Sequence, residues 1–263
     1  MQRSTIAPRA ARGLAIGSAL ALSACIEQSP TVTIEGGVYA PTLEGNIGLA
    51  ATVATDVDTI DLDSSLDLGK TEYVPYLRGE VNLAGFDLAL SGFRTSQTGI
   101  GTVTADFGNI IAGSTVDSKL DLALAHAALC YDFIETSPFT LGAGIGADYF
   151  DLDMAVHNVA FGLDESVEIR QAVPLLVARG VVRTPVIPLD LQLEASGITG
   201  HYEDFDGSLI DIEALLHCKI VGPLSLYGGY RYVHCDFKGR TDDRGFDADV
   251  SVSGFLLGAT FRF

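Results

Sequence analysis

Apolar and polar side chains alternate along most of this chain, and the alternation is clearest in its last nine residues. In steps of two, Phe263, Phe261, Ala259, Leu257 and Phe255 form one uninterrupted apolar row. The intervening positions are small or polar apart from one leucine. Because successive side chains of a β-strand point to opposite sides of the sheet, this pattern predicts a strand with one apolar and one polar face.

The same alternation recurs from the amino-terminal third onward. In 208–220, for example, Ile210 and Ile212 share one face, whereas Asp211 and Glu213 share the other. Ten strands are predicted, at 32–54, 67–84, 86–105, 114–134, 139–160, 165–184, 188–203, 208–220, 223–238 and 247–263. A count of eight or twelve stays open, because Gly-rich pieces such as 98–101 can interrupt a strand. Pro174 interrupts one strand, and Arg179 falls on the apolar parity of that strand unless a bulge near Pro174 resets the register.

Composition narrows the fold class. The 263 residues are 48% hydrophobic with a mean hydropathy of +0.30, yet the formal net charge is −18. The only long apolar run, 13–25, is shorter than the roughly 18 residues of a membrane-spanning helix. High hydropathy spread as alternation favours an all-β, antiparallel, up-and-down transmembrane β-barrel. A soluble sandwich or lipocalin-like barrel, with its apolar rows turned inward, is the alternative, and the acidity argues against nucleic acid as a partner.

The predicted connections fall into two alternating kinds. Short ones with turn residues occur at Ala84-Gly85, Thr136-Ser137-Pro138, 184–188 and Val221-Gly222-Pro223. Longer or more acidic ones occur at 56–67, 105–113, 161–165, 203–208 and 238–246. Brief turns on one side and extended loops on the other are typical of outer-membrane barrels, and an even strand number puts both ends of the chain on the periplasmic side.

The carboxy-terminal strand resembles the closing strand of bacterial outer-membrane β-barrel proteins, and the resemblance extends over 32–263 at the level of pattern. It implies a location in the bacterial outer membrane, with membrane lipids and lipopolysaccharide as surroundings. It also implies that the barrel-assembly machinery recognises the terminal apolar row, Phe255, Leu257, Phe261 and Phe263. Oligomeric state is not encoded in this pattern.

The amino terminus reads as a targeting segment. Arg3, Arg9 and Arg12 precede an apolar stretch and small residues, which describes a secretory signal. Leu22-Ser23-Ala24-Cys25 resembles the processing site of bacterial lipoproteins, which implies removal of 1–24, lipidation of Cys25 and a periplasmic tether over 25–31. Ordinary cleavage after Ala24 without a lipid is the alternative. Removing 1–24 takes away three arginines and no acid, so the formal charge would fall from −18 to −21.

The three cysteines beyond Cys25 are predicted to form no disulfide. A tight turn at 221–223 places Cys218 opposite a residue near Leu226, far from Cys235 on the neighbouring strand. Such a separation exceeds the reach of a disulfide.

The polar rows are predicted to line the lumen. The set contains both signs: Glu72, Arg78, Glu80, Asp87, Lys119, Asp121, Glu194, Glu213, Lys219, Arg231 and Arg262. The interior of an eight- to ten-stranded barrel is barely wider than the side chains that fill it. Buried charges there must pair, because an unpaired one costs several kcal/mol. The sequence therefore predicts a narrow, charge-paired lumen, with a small selective passage for a solute or ion as the alternative.

The acidic connections are predicted to be solvated rims. Alternating carboxylates such as Asp56, Asp58, Asp61 and Asp63 offer oxygen ligands for Ca²⁺. None of these runs matches the spacing of a calcium-binding loop with its glycine and closing glutamate. They are weak metal candidates, and no cofactor is predicted.

A hydrolase at the outer rim is the third functional class. The omptin proteases are ten-stranded barrels that use acidic residues and a histidine between opposing walls at the rim. Here Asp151, Asp153 and His157 lie near one predicted strand end and His201 near another, and such groups can act as general base and electrostatic partners. No adjacent His-Asp or Asp-Asp pair stands out. The leading prediction is therefore a non-enzymatic barrel with a structural or surface-interaction role.

Overall fold

A computed structural model describes residues 30–50, 57–202, 205–241 and 244–263. Within them the chain forms ten long strands and one two-residue strand. They are β1 (Thr31–Leu49), β2 (Ile60–Asp61), β3 (Val74–Leu83), β4 (Phe86–Thr102), β5 (Thr115–Glu135), β6 (Phe139–Asn158), β7 (Leu163–Arg183), β8 (Leu189–Tyr202), β9 (Phe205–Val221), β10 (Leu224–Thr241) and β11 (Arg244–Arg262). No helix in these ranges has the length and apolarity needed to cross a membrane.

The ten long strands close into a ring. Each pairs antiparallel with its neighbours in chain order, and β1 pairs with β11 from Thr33 opposite Arg262 to Leu49 opposite Phe246. Closure leaves none of the ten long strands as a free edge, which removes the usual site of uncontrolled strand pairing. The predicted all-β, antiparallel, up-and-down barrel of about ten strands is confirmed.

The connections differ at the two ends of the barrel. The end that we call the turn end carries four short connections, including an Ala84-Gly85 turn with φ of 53° and 81°. The opposite end, the loop end, has two long connections, 50–73 and 103–114. The other three loop-end connections are only 159–162, 203–204 and 242–243. The predicted long loops at 161–165, 203–208 and 238–246 are therefore wrong, because the strands continue through most of them.

The polarity of the two sheet faces reverses halfway along the strands. In the turn-end part of β5, Leu129 and Tyr131 point outward and His126 and Asp132 point inward. In the loop-end part of the same strand, the inward residues are apolar apart from Ser118, and the outward residues include Asp117, Lys119 and Asp121. β6 shows the same reversal, with Phe139 to Tyr149 forming its apolar outward row and Asp151, Asp153 and His157 its polar one.

The outward apolar side chains of the turn-end half form a continuous band, which we call the apolar belt. Its exposed members include Ile34, Val38, Leu77, Val81, Leu88, Leu90, Leu129, Ile145, Leu176, Leu191, Leu193, Ile210, Ile212, Leu216, Leu226, Phe255 and Leu257. On β6 the belt runs from Phe139 to Tyr149. Ten steps of about 3.3 Å, at the tilt of roughly 40° usual for such barrels, give a height of about 25 Å.

The loop-end half contains an apolar core. Part of the connection 57–73 inserts into the barrel, where Leu62, Leu66 and Leu68 are fully buried with strand residues such as Leu120 and Met154. The fit against β4 depends on glycine: a Cβ at Gly99 or Gly101 would collide with the backbone of Leu66 or Ser65. The second long connection adds Phe107 and Ile110, which pair with each other and are also fully buried.

Two local predictions meet different outcomes. The register of β6 and β7 is continuous through Pro174, so no bulge resets it there. Arg179 points inward together with Val173, Leu175 and Val177, because the inner face of this strand is apolar toward the loop end. Cys218 lies opposite Leu226 as predicted, and Cys130, Cys218 and Cys235 are free thiols.

Candidate functional site

Three buried arginines brace the interior of the turn-end half. Arg78 of β3 reaches across the barrel to Glu194 of β8 (2.9 Å) and Glu213 of β9 (2.7 Å), and it also binds Glu80 (2.9 Å). Tyr76 donates a second hydrogen bond to Glu213 at 2.5 Å. Strands that share no backbone hydrogen bonds are thus held together by charge-assisted hydrogen bonds.

The other two arginines extend the same network, which we call the charged cluster. Arg179 of β7 lies 3.2 Å from Asp87 and 3.4 Å from Glu80. Arg231 of β10 donates from Nε to Asp211 at 3.0 Å. The cluster consists of Arg78, Arg179 and Arg231 with Glu80, Asp87, Glu194, Asp211 and Glu213, all buried.

The lumen is closed at the charged cluster. From the turn end, a cavity of about 240 Å³ leads inward between Arg183, Arg262 and Asp190 as far as Glu80 and Arg179. Beyond it, the space among Arg78, Glu194, Asp211, Glu213 and Arg231 leaves no volume for a water molecule. The apolar core of the loop-end half follows. The described side chains therefore leave no continuous aqueous path.

The loop-end mouth is fastened by Glu165. This buried carboxylate of β7 accepts hydrogen bonds from the Asn109 amide (2.9 Å), the Asn109 side chain (2.6 Å) and Arg244 of β11 (2.7 Å). Burial alone would raise the pKa of Glu165, but the hydrogen bonds from Arg244 and Asn109 outweigh it and lower that pKa below its usual value. One ionised group thus joins two strands and the connection 103–114.

The predicted lumen residues occupy different places. Arg78, Glu80, Glu194, Glu213 and Arg231 belong to the charged cluster. Lys219 and Arg262 lie at the turn-end mouth, where Lys219 pairs with Asp190 at 3.0 Å. Glu72 precedes β3 and accepts a hydrogen bond from Thr95.

Asp121 does not line the lumen. It lies on the outer surface of β5 and pairs with Lys119 at 2.6 Å, and this hydrogen bond lowers the pKa of Asp121. Asp121 and Lys119 were predicted to line the lumen because polar positions were taken as inward, whereas at this height of β5 the polar positions face outward.

Several interior groups were absent from the predicted set. Arg179 and His126 fell on the apolar parity of their strands, and Asp148 stands alone among small residues of β6. Asp132 was also absent from it; this residue points inward and faces Arg179. Asp87, which was predicted to line the lumen, faces the same arginine, and Asp211 lies inward with Glu213, on the face of β9 that was predicted to line the lumen.

Three of the four residues proposed for a rim hydrolase, Asp151, Asp153 and His157, face away from the interior. Asp151 pairs with Arg170 at 3.2 Å and His157 with Asp164 at 2.6 Å, all on the outer surface. Asp153 shares that outward row. Only the backbone of His201 is described. It lies on β8 opposite Asp206 of β9, and β7 stands between β8 and β6. These residues therefore do not meet across opposing walls.

The acidic residues of the first long connection bind partners within that connection. Asp61 accepts hydrogen bonds from the amide and hydroxyl of Ser64 at 2.6 and 2.8 Å, and Asp67 pairs with Lys70. Asp58, Asp61 and Asp63 do not form a group of converging metal ligands among the described residues, and Asp56 lies outside them. Within the described part, such a group is formed by His126, Asp148 and Asp211, inside the barrel.

The first strand begins and the last strand ends at the turn end, where Thr33 lies opposite Arg262. The terminal row Phe255, Leu257, Phe261 and Phe263 is exposed and belongs to the apolar belt. Phe263 packs against Phe261 with ring centroids 5.0 Å apart, and its amide binds the carbonyl of Val32. The predicted signal segment and Cys25 lie outside the described residues.

Comparison with known proteins supports the fold. No protein-family model and no curated protein sequence matches the chain. Among solved structures, the outer membrane protease OmpT from Escherichia coli superposes with a TM-score of 0.58 at 9% identity, covering 89% of this chain and 96% of that one. The transport unit of the autotransporter AIDA-I from Escherichia coli superposes with a TM-score of 0.38 at 14% identity, covering 92% of this chain and 92% of that one. Ail of Yersinia pestis superposes with a TM-score of 0.33 at 12% identity, covering 90% of this chain and 100% of that one.

The ring closure, the belt and the OmpT superposition define the class: this chain has the fold of a bacterial outer-membrane β-barrel. At 9% identity the likeness concerns the fold alone.

Proposed function

We propose that the protein is a closed outer-membrane barrel that anchors in the membrane by its turn-end half and presents its loop-end half as a rigid, acidic surface module. The observation that carries this function is the reversal of the two faces along single strands. Apolar-out and polar-in suits lipid, whereas polar-out and apolar-in suits water.

The borders of the belt support the proposed depth. Outward aromatic residues lie near both edges: Tyr149, Tyr230 and Tyr232 toward the loop end, and Phe86, Tyr131, Phe133, Phe139, Phe261 and Phe263 toward the turn end. Outer-membrane barrels carry aromatic girdles at both interfaces of the bilayer. Above the upper girdle, the outward positions of β6 and β7 are mostly charged or polar.

Closure of the lumen favours a surface role over the alternative of a small pore. A pore would require both the charged cluster and the apolar core to move aside, and each blocks the interior independently. In planar bilayers we expect the refolded protein to give no discrete conductance steps. Regular steps from the wild-type chain would refute the closed-barrel proposal.

Orientation can be tested by labelling single cysteines with a membrane-impermeant maleimide. We expect Asp153→Cys to react on intact cells, because it lies outward beyond the belt. Ser137→Cys, in a turn-end connection, should react only after the outer membrane is opened. Ile145→Cys, in the belt, should stay protected, and the wild type gives the background of the native thiols. Labelling of Ser137→Cys but not Asp153→Cys on intact cells would invert the proposed orientation.

A lipid on Cys25 belongs to the same proposal. The motif Leu22-Ser23-Ala24-Cys25 suggests it, and the chain enters β1 at Thr31, at the turn end, where an anchor in the inner leaflet would lie. Mass spectrometry of the mature protein should find a diacylated amino-terminal cysteine. Recovery of an unmodified Cys25 in otherwise assembled barrels would refute this part alone.

A further inference from the structure

The interior of the turn-end half carries more negative than positive charge. Nine carboxylates are buried there: Glu35, Glu80, Asp87, Asp132, Asp148, Asp190, Glu194, Asp211 and Glu213. Three arginines, Arg78, Arg179 and Arg231, accompany them, with two histidines, His126 and His217. The cations at the turn-end mouth, such as Lys219 beside Asp190, offset only part of the remaining negative charge. Uncompensated buried charge is costly, so an additional cation would stabilise this interior.

One group of side chains has the donors for such a cation. His126 and Asp148 lie directly opposite each other on β5 and β6, and Asp211 approaches from β9. His126 Nδ1 is 2.5 Å from Asp148 Oδ1 and 3.8 Å from Asp211 Oδ2. Asp148 is fully buried, and its Oδ2 has no hydrogen-bond partner among the described residues. That oxygen is free to coordinate.

The surroundings of this group match those of metal-binding histidines. The second nitrogen, His126 Nε2, lies 3.1 Å from Glu194 Oε1. Histidines that bind a metal through one nitrogen usually present the other to a carboxylate or carbonyl, which fixes the ring. Arg231 holds Asp211 through both oxygens, from Nε to Oδ1 at 3.0 Å and from a terminal guanidinium nitrogen to Oδ2 at 2.5 Å. A metal would therefore use the second lone pair of Oδ2.

We propose that the barrel interior binds a divalent transition-metal ion between His126, Asp148 and Asp211. Metal–ligand bonds of about 2.0–2.2 Å place ligand atoms roughly 3–4 Å apart, which the Nδ1–Asp211 distance already satisfies. Asp148 is closer and would turn to offer Oδ2. One imidazole and two carboxylates suit Zn²⁺, which such sites prefer over Mn²⁺ or Fe²⁺. The ion would act as a structural clamp between three strands.

The test compares Zn²⁺ uptake by the full chain and its variants. Each protein is unfolded in urea with a chelator, desalted and refolded in detergent with Zn²⁺ and excess Mg²⁺, and bound zinc is then measured by mass spectrometry. We expect one Zn²⁺ per wild-type chain and none in His126→Gln. Glu194→Gln, which weakens the support of the ring and also the contact with Arg78, should bind at least tenfold more weakly. His157→Gln removes an exposed histidine next to an acid and should keep one Zn²⁺.

Folding of each variant is checked by the difference in gel mobility before and after heating. If His126→Gln does not fold, Asp148→Asn replaces it, and Co²⁺ bound to the wild type is examined by its visible absorption. Equal zinc in wild type and His126→Gln would overturn the proposal. So would the absence of both bound zinc and a Co²⁺ band in the wild type, since His126 would then act only as an ion-pair partner.

Discussion

Glu165 on β7 and Arg244 at the start of β11 meet across the loop-end mouth, with 2.7 Å between Oε2 and the guanidinium nitrogen. Three strands separate them around the ring. The contact therefore holds distant parts of the rim together, and the second oxygen of Glu165 fixes Asn109 in the connection 103–114.

Removing the charge of Glu165 should loosen this rim. Glu165→Gln keeps the volume but weakens hydrogen bonds to a charged partner, which are worth about 1.5–3 kcal/mol each. We expect local opening to become easier by about 1–3 kcal/mol. The free energy of this local opening can be measured by hydrogen exchange of the Asn109 and Gly108 amides. Asp164→Asn, on an exposed neighbour, should change exchange by less than about 0.5 kcal/mol; equal effects would show that Glu165 has no special role.

The same contact predicts a pH dependence. The pKa of Glu165 is lowered in the folded protein, so the unfolded chain binds more protons at acidic pH. Its contribution is present above the ordinary glutamate pKa of about 4.3 and is lost as pH falls through the lower folded value. The difference in melting temperature between wild type and Glu165→Gln should thus be constant from pH 7 to 5 and narrow below about pH 4. A difference that widens on acidification would contradict the lowered pKa.

The belt can be tested with one residue type on one strand. Ala143 and Ala155 both point outward from β6, but only Ala143 lies inside the belt. Ala143→Arg should destabilise the protein in lipid vesicles by about 2–4 kcal/mol, the cost of arginine near the middle of a bilayer. Ala155→Arg should change the free energy of unfolding by less than about 0.5 kcal/mol. Unfolding in urea measures both, and similar costs at the two sites would place the membrane elsewhere.

Arg78 should be among the most sensitive positions. Arg78→Met leaves Glu80, Glu194 and Glu213 without their shared partner. Breaking such buried pairs typically costs about 3–5 kcal/mol. Arg170→Met, at an exposed pair with Asp151 and Glu168, should leave the free energy of unfolding nearly unchanged, because solvent screens such pairs. Urea unfolding of the two variants decides whether the cluster stabilises the barrel; a small cost at Arg78 would argue that water enters the lumen.

Alternation alone predicted the fold class but not the inside of the barrel at every height. Strand parity placed Glu213 and Arg231 correctly among inward residues, because both lie in the turn-end half. Asp121 was assigned inward and lies outside, whereas Arg179 was treated as an irregularity and lies inside. Parity tells which residues share a face. It does not tell where along a strand the surroundings change from lipid to water.

The sequence pattern also did not predict that His126, Asp148 and Asp211 converge. His126 and Asp148 lie on neighbouring strands, but Asp211 comes from across the barrel, and its approach depends on diameter and stagger. The inserted connection 57–73 was also unforeseen, since its leucines are scattered among aspartates that suggest a solvated loop.

The reversal of polarity along each strand also constrains how the strands can align during assembly. If a strand with a single polarity slips by one residue, all of its side chains move to the wrong face. Here such a slip would put charges into the lipid at one end and, at the other, charges into the apolar core and leucines into water. A misaligned strand is thus disfavoured in both of its halves, by lipid in one and by water in the other. The point of reversal also determines how deeply the strand can insert into the membrane.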